Sequence, residues 1–174
     1  MNKKERLLLV FASAVKAGAG IHTAPELAFM LKEQHTPAFT KFLADCVNKG
    51  LLRRDAAGIF ESVLTPPEQA TAIYDIIGKL RGDVLSYISL ESQLSYTGEI
   101  SQVLMDRLTV MTKGRSGTFS TPYGVIEFTH TKKSIHKIAP NLYFDFDIKM
   151  FRAETAQAII DLKDCNRNLH LLKS

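Results

Sequence analysis

Apolar and polar positions in the first third of the chain follow helical spacing that is interrupted by glycine-containing breaks. Residues 4–17 are dense in Leu, Val, Phe and Ala, which predicts a mostly buried helix that ends at the glycines after it. Thr23 and Glu26 predict a capping box for a short second helix, because each side chain can accept a hydrogen bond from a free first-turn amide. Thr36 and Pro37 give a similar start signal for a third helix.

The third predicted helix has one apolar face and one polar face. Its apolar stripe consists of Phe39, Phe42, Leu43 and Cys46. After Gly50 the pattern changes, and residues 51–54 and 59–63 form two β-type runs around a glycine-containing turn. Three helices followed by a hairpin is the order of a winged helix-turn-helix, in which the third helix enters the major groove. The hairpin would then be the wing.

Short polar side chains and cations in this region predict an interaction with DNA. A groove-binding helix needs one buried face and one face of polar side chains that reach base edges. Cations at the base of the wing can contact phosphates, which gives affinity without sequence preference. The candidate DNA-binding residues are Thr36, Thr40, Lys41, Asn48, Lys49, Arg53 and Arg54. The alternative is that the same fold serves protein contacts only, with a solvated polar face.

The remainder of the chain changes from helical to β-type periodicity near Arg81-Gly82-Asp83. Thr65 is expected to start a connecting helix, and Ser89, with Ser92 three residues later, to cap the next one. Later β-type runs cover 107–112, 118–121, 124–131 and 142–148, and a last helix covers 153–162. The fold class predicted is α+β: a winged helix-turn-helix domain at 1–65, a connecting helix and linker at 66–82, and a small α+β domain with an antiparallel sheet at 83–174.

Charge is unevenly distributed along the chain, which has a formal net charge of +4. Residues 1–65 carry nine Lys or Arg against six Asp or Glu, which supports a nucleic-acid partner for that part. A candidate second basic patch consists of Lys113, Arg115, Lys132, Lys133 and Lys137. This patch is either a second DNA contact or a solvated hairpin. The stretch 113–117 could also cradle a phosphate, although it lacks the residue order of a P-loop.

Few residues suggest catalysis or metal binding. Asp145 and Asp147 could form a two-carboxylate metal site, but an exposed strand face is the favoured interpretation. Cys46 and Cys165 form no CxxC pair, and no histidine has ligand spacing, so we expect neither a metal nor another cofactor. No nucleophile motif occurs, and we expect a protein that is not an enzyme. No apolar run approaches 18 residues, so no membrane span and a cytoplasmic location are expected.

Several segments resemble the AbiEi-type antitoxin family. Residues 23–28, 50–54 and 58–62 are similar to its winged helix. Residues 87–98, Tyr-Ile-Ser-Leu-Glu-Ser-Gln-Leu-Ser-Tyr-Thr-Gly, resemble the family block Tyr-x-Ser-x-Glu-Ser-Ala-Leu-x-x-x-Gly, with Gln93 in place of alanine. Residues 121–128 resemble its threonine, tyrosine-glycine and strand segment. Residues 150–156 are similar to a family helix start but lack its proline and lysine.

This resemblance implies an antitoxin of a type IV toxin–antitoxin pair, of the kind that acts in abortive infection or maintains mobile elements. The implied partners are double-stranded DNA with an inverted-repeat operator and a nucleotidyltransferase-like toxin, which need not form a stable complex. The N-terminal domain would repress the shared promoter, and the C-terminal domain would carry antitoxicity. One alternative is a winged-helix regulator whose second domain senses a ligand or dimerises. Another is a nucleic-acid-processing enzyme that uses Asp145, Asp147 and the basic hairpin.

Overall fold

Two units with separate hydrophobic cores make up the chain, Met1–Lys79 and Leu80–Ser174. The computed structural model describes residues 1–101 and 106–173. Helices and antiparallel strand pairs occur in both units, so the predicted α+β class is confirmed. Within the described ranges, no helix combines the length and the apolar character needed to cross a membrane.

The first unit combines helices with a three-stranded antiparallel sheet in the order β1-β3-β2. Its elements are α1 (Lys3–Lys16), β1 (Ile21–Thr23), α2 (Ala24–Met30), α3 (Pro37–Asn48), β2 (Leu52–Ala56), β3 (Ile59–Ser62) and α4 (Ala72–Leu80). The turn between β2 and β3 contains Gly58 at φ 72°, a backbone conformation that glycine adopts without a steric penalty. Strand β1 was not predicted, because three residues are too few to show a β-type alternation.

Local hydrogen bonds explain where the helices of this unit begin. The predicted capping box is confirmed: the Glu26 amide donates to Thr23 Oγ1 at 3.3 Å, and the Thr23 amide donates to Glu26 Oε1 at 3.1 Å. The Phe39 amide donates to Thr36 Oγ1 at 3.2 Å, which confirms the start of α3. Asn2 and Glu5 form a further capping box at α1. Each cap satisfies amides that the first turn leaves without a partner.

The core of the first unit fixes the orientation of α3. Phe39, Leu43 and Cys46 are buried against residues of α1, α2 and the sheet, and Phe42 is half-buried at the edge of this cluster. Burial of a large apolar side chain contributes about 1.5–3 kcal/mol relative to an exposed position. Rotating α3 about its axis would expose this stripe, so its polar face must point to solvent.

The second unit is built on a six-stranded mixed sheet with the order β6-β7-β5-β4-β9-β8. Its elements are β4 (Ser86–Ile88), α5 (Leu90–Tyr96), β5 (Arg107–Thr112), β6 (Gly117–Thr121), β7 (Gly124–His130), α6 (Ile135–Ile138), a 3₁₀ turn (Ala139–Asn141), β8 (Leu142–Asp145), β9 (Met150–Ala153), α7 (Thr155–Asp164) and a second 3₁₀ turn (Leu169–Leu171). The predicted antiparallel pairing occurs three times, in β6–β7, β4–β5 and β8–β9. Two further pairs, β5–β7 and β4–β9, are parallel and were not predicted.

Some element boundaries differ from the sequence-based prediction. The connecting helix α4 starts at Ala72 rather than after Thr65, whose amide instead donates to Ser62 Oγ at 3.4 Å. The β-type run 142–148 forms a strand only as far as Asp145. Residues 150–153, compared above with a helix start, form strand β9, and the last helix begins at Thr155. At residues 150–153, pairing of β9 with β4 and β8 overrides the local helical pattern.

Ser89 does not cap α5 in the predicted way. It occupies the N-cap position, but its hydroxyl makes no bond to the helix and donates instead to Asp161 Oδ2 at 2.7 Å. Ser92 accepts a bond from the Thr109 amide on β5 at 2.8 Å, and its own amide donates to Thr109 Oγ1 at 3.0 Å. Both serines therefore join α5 to other elements of the second unit.

The cap at Thr36 leads to a stability prediction. We expect Thr36→Ala to lower the free energy of unfolding of the first unit by about 0.5–2 kcal/mol, because the Phe39 amide loses its acceptor. Thr40→Ala, an exposed threonine within the same helix, is the control and should change it by less than about 0.5 kcal/mol. Urea unfolding of both variants measures the difference. Equal losses would contradict the assignment of the cap.

Candidate nucleic-acid interface

The outward face of α3 carries most of the residues that the sequence predicted to contact DNA. Thr40, Lys41 and Asn48 are exposed on the helix, and Thr36 and Lys49 are exposed at its two ends. Lys41 and Asn48 are seven residues apart, so they lie on the same face two turns from each other. The result is a polar face with short side chains and a cation, opposite the buried stripe.

Several of these side chains already have partners within the first unit. The Thr36 hydroxyl accepts the bond from Phe39, and Thr40 Oγ1 lies 3.3 Å from His35 Nε2. Lys49 Nζ lies 3.4 Å from Asp45 Oδ2, which Lys4 Nζ also approaches at 3.1 Å. Lys4 and Lys49 hold the pKa of Asp45 below its usual range. Among the described residues, none forms a hydrogen bond or ion pair with the side chains of Lys41 or Asn48.

Arg53 and Arg54 are consecutive on β2, so their side chains leave the strand on opposite sides. Arg53 Nη2 donates to Glu61 Oε1 at 3.0 Å, across the β2–β3 pair in register. Its Nε lies 3.7 Å from Asp55 Oδ1. The Arg54 guanidinium instead lies 5.5 Å from the centroid of the Phe60 ring.

The two arginines that the sequence suggested as phosphate contacts thus have different surroundings. Glu61 is buried, so removal of Arg53 would leave a carboxylate without its counterion in the interior of the unit. Arg54 pairs with no carboxylate in the described part of the chain. Arg53 therefore contributes to the structure of the hairpin through Glu61, although both arginine side chains are exposed. The sequence could not reveal this difference, because the strand register decides which residue faces Glu61.

Asp55 is the most unusual titratable group of this hairpin. It lies at the irregularity of β2 between Arg54 and Ala56, and its side chain is shielded from solvent. Burial, followed by the neighbouring Glu61 carboxyl, raises the pKa of Asp55 to about 8. Near neutral pH Asp55 is therefore protonated, and Arg53 lies within ion-pair distance of both carboxyl groups.

The segment 87–98 in the second unit contains several buried polar side chains, and two of its residues bond to α7. Asp161 on α7 accepts hydrogen bonds from Tyr87 Oη at 3.0 Å, Ser89 Oγ at 2.7 Å and Gln157 Nε2 at 2.8 Å. Burial raises the pKa of Asp161, and these three donors oppose that rise. The carboxyl is enclosed by its donors, which is the arrangement of a structural anchor.

Two further residues of this segment, Glu91 and Gln93, also form hydrogen bonds to side chains that are distant in the sequence. Glu91 accepts bonds from Arg167 Nη2 at 2.8 Å and from Asn168 Nδ2 at 2.8 Å, and Arg167 also binds Glu127. Gln93 accepts from Arg152 Nη1 at 3.0 Å and donates to Tyr143 Oη at 2.9 Å. Gln93 thus forms hydrogen bonds to residues of both β8 and β9.

The two-carboxylate metal site considered at Asp145 and Asp147 has a different arrangement. Asp147 lies in the turn after β8, and its amide donates to Asp145 Oδ1 at 3.0 Å. Arg152 Nε donates to Asp145 Oδ2 at 2.8 Å and holds the pKa of Asp145 below its usual range. Asp145 is thus neutralised by an arginine. In the described ranges, no group of three or more potential metal ligands occurs.

The candidate second basic patch divides into internal and exposed cations. Lys113 Nζ donates to the carbonyls of Thr131 at 3.0 Å and Lys133 at 2.8 Å, and Lys133 pairs with Asp164 at 2.7 Å. The exposed members are Arg115, Lys132 and Lys137. Lys113 therefore links two loops of the second unit, and the exposed residues supply its surface charge.

The buried pair in the hairpin generates a prediction for stability against pH. Because the folded pKa of Asp55 is raised, its stabilising contribution is complete below the unfolded pKa near 4 and declines as pH rises towards about 8. Where the folded state binds one proton more than the unfolded state, a rise of one pH unit lowers the free energy of unfolding by about 1.4 kcal/mol. Asp55→Asn should flatten this dependence in urea unfolding measured from pH 5 to 8. A variant that keeps the full slope would show that another group titrates.

No model of a known protein family matches this sequence, and no match to a curated protein was found. What the chain does is therefore inferred from its own residues and from the segments that resemble a family.

Proposed function

We propose that the first unit is a winged helix-turn-helix that binds double-stranded DNA, with α3 in the major groove and the β2–β3 hairpin as the wing. The observation that carries this proposal is the polar outward face of α3, where Lys41 and Asn48 are exposed and not engaged by other described side chains. A major groove admits a helix of this kind, because its base edges present donors and acceptors to short polar side chains.

The element order supports the same proposal. Helices α1, α2 and α3 precede the β2–β3 hairpin, and β1 pairs with β3 to complete a small sheet. Arg54 on the hairpin and Lys49 at the end of α3 are exposed cations that can contact phosphates. Arg53 is assigned to positioning the hairpin through Glu61. An inverted-repeat operator upstream of the chain's own gene is the proposed target.

We further propose that the whole chain is the antitoxin of a type IV toxin–antitoxin pair and represses its own operon. The support is the resemblance of residues 23–28, 50–54, 58–62, 87–98 and 121–128 to the AbiEi-type family. The separate core of the second unit supports a division of roles, because each unit can keep its own fold while serving its own partner. The proposed partner of the second unit is a nucleotidyltransferase-like toxin, encoded by a neighbouring gene.

A second candidate function is that of a regulator whose second unit dimerises. The observation that favours it is an aromatic cluster on the β8–β9 hairpin, where Phe144, Phe146 and Phe151 are exposed. The ring of Phe144 lies 4.9 Å from that of Phe146 and 5.2 Å from that of Phe151. Exposed apolar clusters often mark interaction sites. Sedimentation of the full chain distinguishes a monomer from a stable dimer.

The DNA-binding proposal predicts different effects for two cations of the first unit. Lys41→Ala should weaken operator binding by about 1–3 kcal/mol and random-duplex binding by less, because base contacts carry the specificity. Arg54→Ala should weaken both alike and lower the slope of log affinity against log salt by about one, because a phosphate contact is lost. Fluorescence anisotropy over a salt series measures both effects.

Lys16→Ala is the control for these titrations, since Lys16 is an exposed lysine at the end of α1, outside α3 and the hairpin. It should leave both affinities unchanged within the error of the titration. If the wild-type chain binds operator and random duplex equally, the repressor proposal is wrong. If Lys41→Ala and Arg54→Ala behave identically on both duplexes, the placement of α3 in the groove is wrong.

The antitoxin proposal predicts that the full chain restores growth to cells that express the neighbouring nucleotidyltransferase. With expression from an unrelated promoter, a Lys41→Ala/Arg54→Ala double variant should restore growth equally well, because antitoxicity is assigned to the second unit. Colony counts and immunoblots for protein level measure this. Failure of the wild-type chain at normal expression would exclude the antitoxin role and leave the DNA-binding test unaffected.

A further inference from the structure

Three segments of the second unit converge at one edge of its sheet. Strands β5 and β7 are parallel, so the loops that follow them, 113–116 and 131–134, leave from the same edge. Strand β4 runs antiparallel to β5, and its first residue, Ser86, pairs with the last residue of β5. The segment before β4 therefore lies against the loop that follows β5. Ligand sites in open sheets commonly lie beyond the carboxyl ends of parallel strands.

Hydrogen bonds hold these two loops together. Lys113 Nζ spans from the first loop to the carbonyls of Thr131 and Lys133. His130 Nδ1 lies 2.7 Å from the Gly114 carbonyl oxygen, and Ser116 Oγ accepts from the His130 amide at 2.8 Å. Bonds of this number and length keep the loops in one relative arrangement, which reduces the entropy that a ligand must overcome to order them.

Arg81, in the segment before β4, is held in place between aromatic rings and carbonyl groups. Its guanidinium carbon lies 4.4 Å from the ring centroid of Phe128 and 5.4 Å from that of Phe119. Its Nη2 donates to the Arg115 carbonyl at 2.9 Å, and its Nη1 donates to the Leu80 carbonyl at 3.0 Å. Its Nε also donates to the Arg115 carbonyl, at 3.3 Å, so one N–H on Nη1 and one on Nη2 remain for a ligand.

Close contact between Arg81 and the first loop depends on Gly114. A Cβ atom at this position would lie 3.0 Å from Arg81 Cδ and 3.1 Å from Val84 Cγ2, distances that side chains rarely tolerate. The glycine thus allows the loop to lie against the arginine. The two form one wall of a cleft of about 340 Å³, lined by Leu80, Arg81, Asp83, Val84, Gly114 and Arg115.

The charge of this cleft is positive and only partly neutralised. Burial and then repulsion from Arg115 lower the pKa of Arg81, against the opposing effect of Asp83. Arg115 and Lys132 are exposed, whereas Lys133 is paired with Asp164. Both arginines line the cleft, and Asp83 is the carboxylate in its lining. An anion with two negative charges would relieve this repulsion.

We propose that the cleft at the carboxyl ends of β5 and β7 binds a phosphate group, with Arg115 and Arg81 as its main ligands. Guanidinium groups donate paired N–H bonds that match the oxygens of a phosphate, and such charge-assisted bonds are stronger than neutral ones. The phosphate belongs to a nucleotide or to a polynucleotide backbone. This site lies in the second unit and does not depend on DNA binding by α3.

The test is a titration of the full-length, ¹⁵N-labelled chain with inorganic phosphate, compared with sodium chloride at matched ionic strength. We expect saturable amide shifts in residues 113–117 and 130–133. Arg115→Ala should weaken phosphate binding about tenfold or more, as the loss of charge-assisted hydrogen bonds implies. The phosphate affinity of Arg115→Lys should lie between those of the wild type and Arg115→Ala. The phosphate affinity of Lys16→Ala should equal that of the wild type. Arg115 is exposed, so its substitution leaves the packing intact.

The source of the phosphate is resolved with the Lys41→Ala/Arg54→Ala double variant, in which binding through α3 is weakened. A nucleoside monophosphate that binds more tightly than phosphate, at the same amides, identifies a nucleotide ligand. A single-stranded oligonucleotide that shifts these amides and competes with phosphate identifies a polynucleotide. The proposal is overturned if phosphate shifts the amides no more than chloride, or if Arg115→Ala binds phosphate as the wild type does. Loss of operator preference in the earlier titrations would not affect either result.

Discussion

Neutralisation of buried carboxylates is the constraint on which both units depend. A carboxylate removed from water needs a counterion, a set of hydrogen-bond donors, or a proton, since otherwise its desolvation outweighs the gain from packing. The chain uses all three solutions. Arg53 serves Glu61, Tyr87 and Ser89 serve Asp161 together with Gln157, and burial leaves Asp55 with a proton near neutral pH.

This constraint decides which cations can serve a ligand. Arg53 and Lys113 are conspicuous in the sequence, yet the first neutralises Glu61 and the second donates to backbone carbonyls. Their neighbours in the same segments, Arg54 and Arg115, are exposed and form no ion pair with another described residue. Net charge alone therefore overstates the positive surface of the molecule. A charge that is paired internally attracts an anionic ligand much less than an unpaired one.

The two units present their exposed cations in different settings. In the first unit, Lys41 lies on a helix whose buried stripe holds it in a fixed orientation, which suits recognition of a regular groove. In the second unit, Arg115 lies on a loop beside a glycine-permitted contact with Arg81, and aromatic rings hold Arg81 in place. A rigid helix face suits an extended partner such as a duplex. A cleft whose loops are joined by hydrogen bonds suits a single anionic group.

Local features were determined by the sequence itself. The caps at Thr23 and Thr36, the buried stripe of α3 and the strands β5 to β7 all follow from residues close together in the chain, because helix starts and periodicity are short-range effects. The exposed positions of Lys41 and Asn48 follow from the same stripe.

Long-range pairing was decided only by the tertiary structure. The parallel pairs β5–β7 and β4–β9 join strands whose relation no local pattern encodes. The same is true of Ser89, which bonds to Asp161, and of Asp145, which Arg152 neutralises. Ser89 could cap α5 but instead donates to the buried carboxyl of Asp161, 72 residues away. Asp145 was a candidate metal ligand but accepts a hydrogen bond from Arg152, 7 residues away. The division between Arg53 and Arg54 has the same origin, since strand register places Glu61 opposite only one of them.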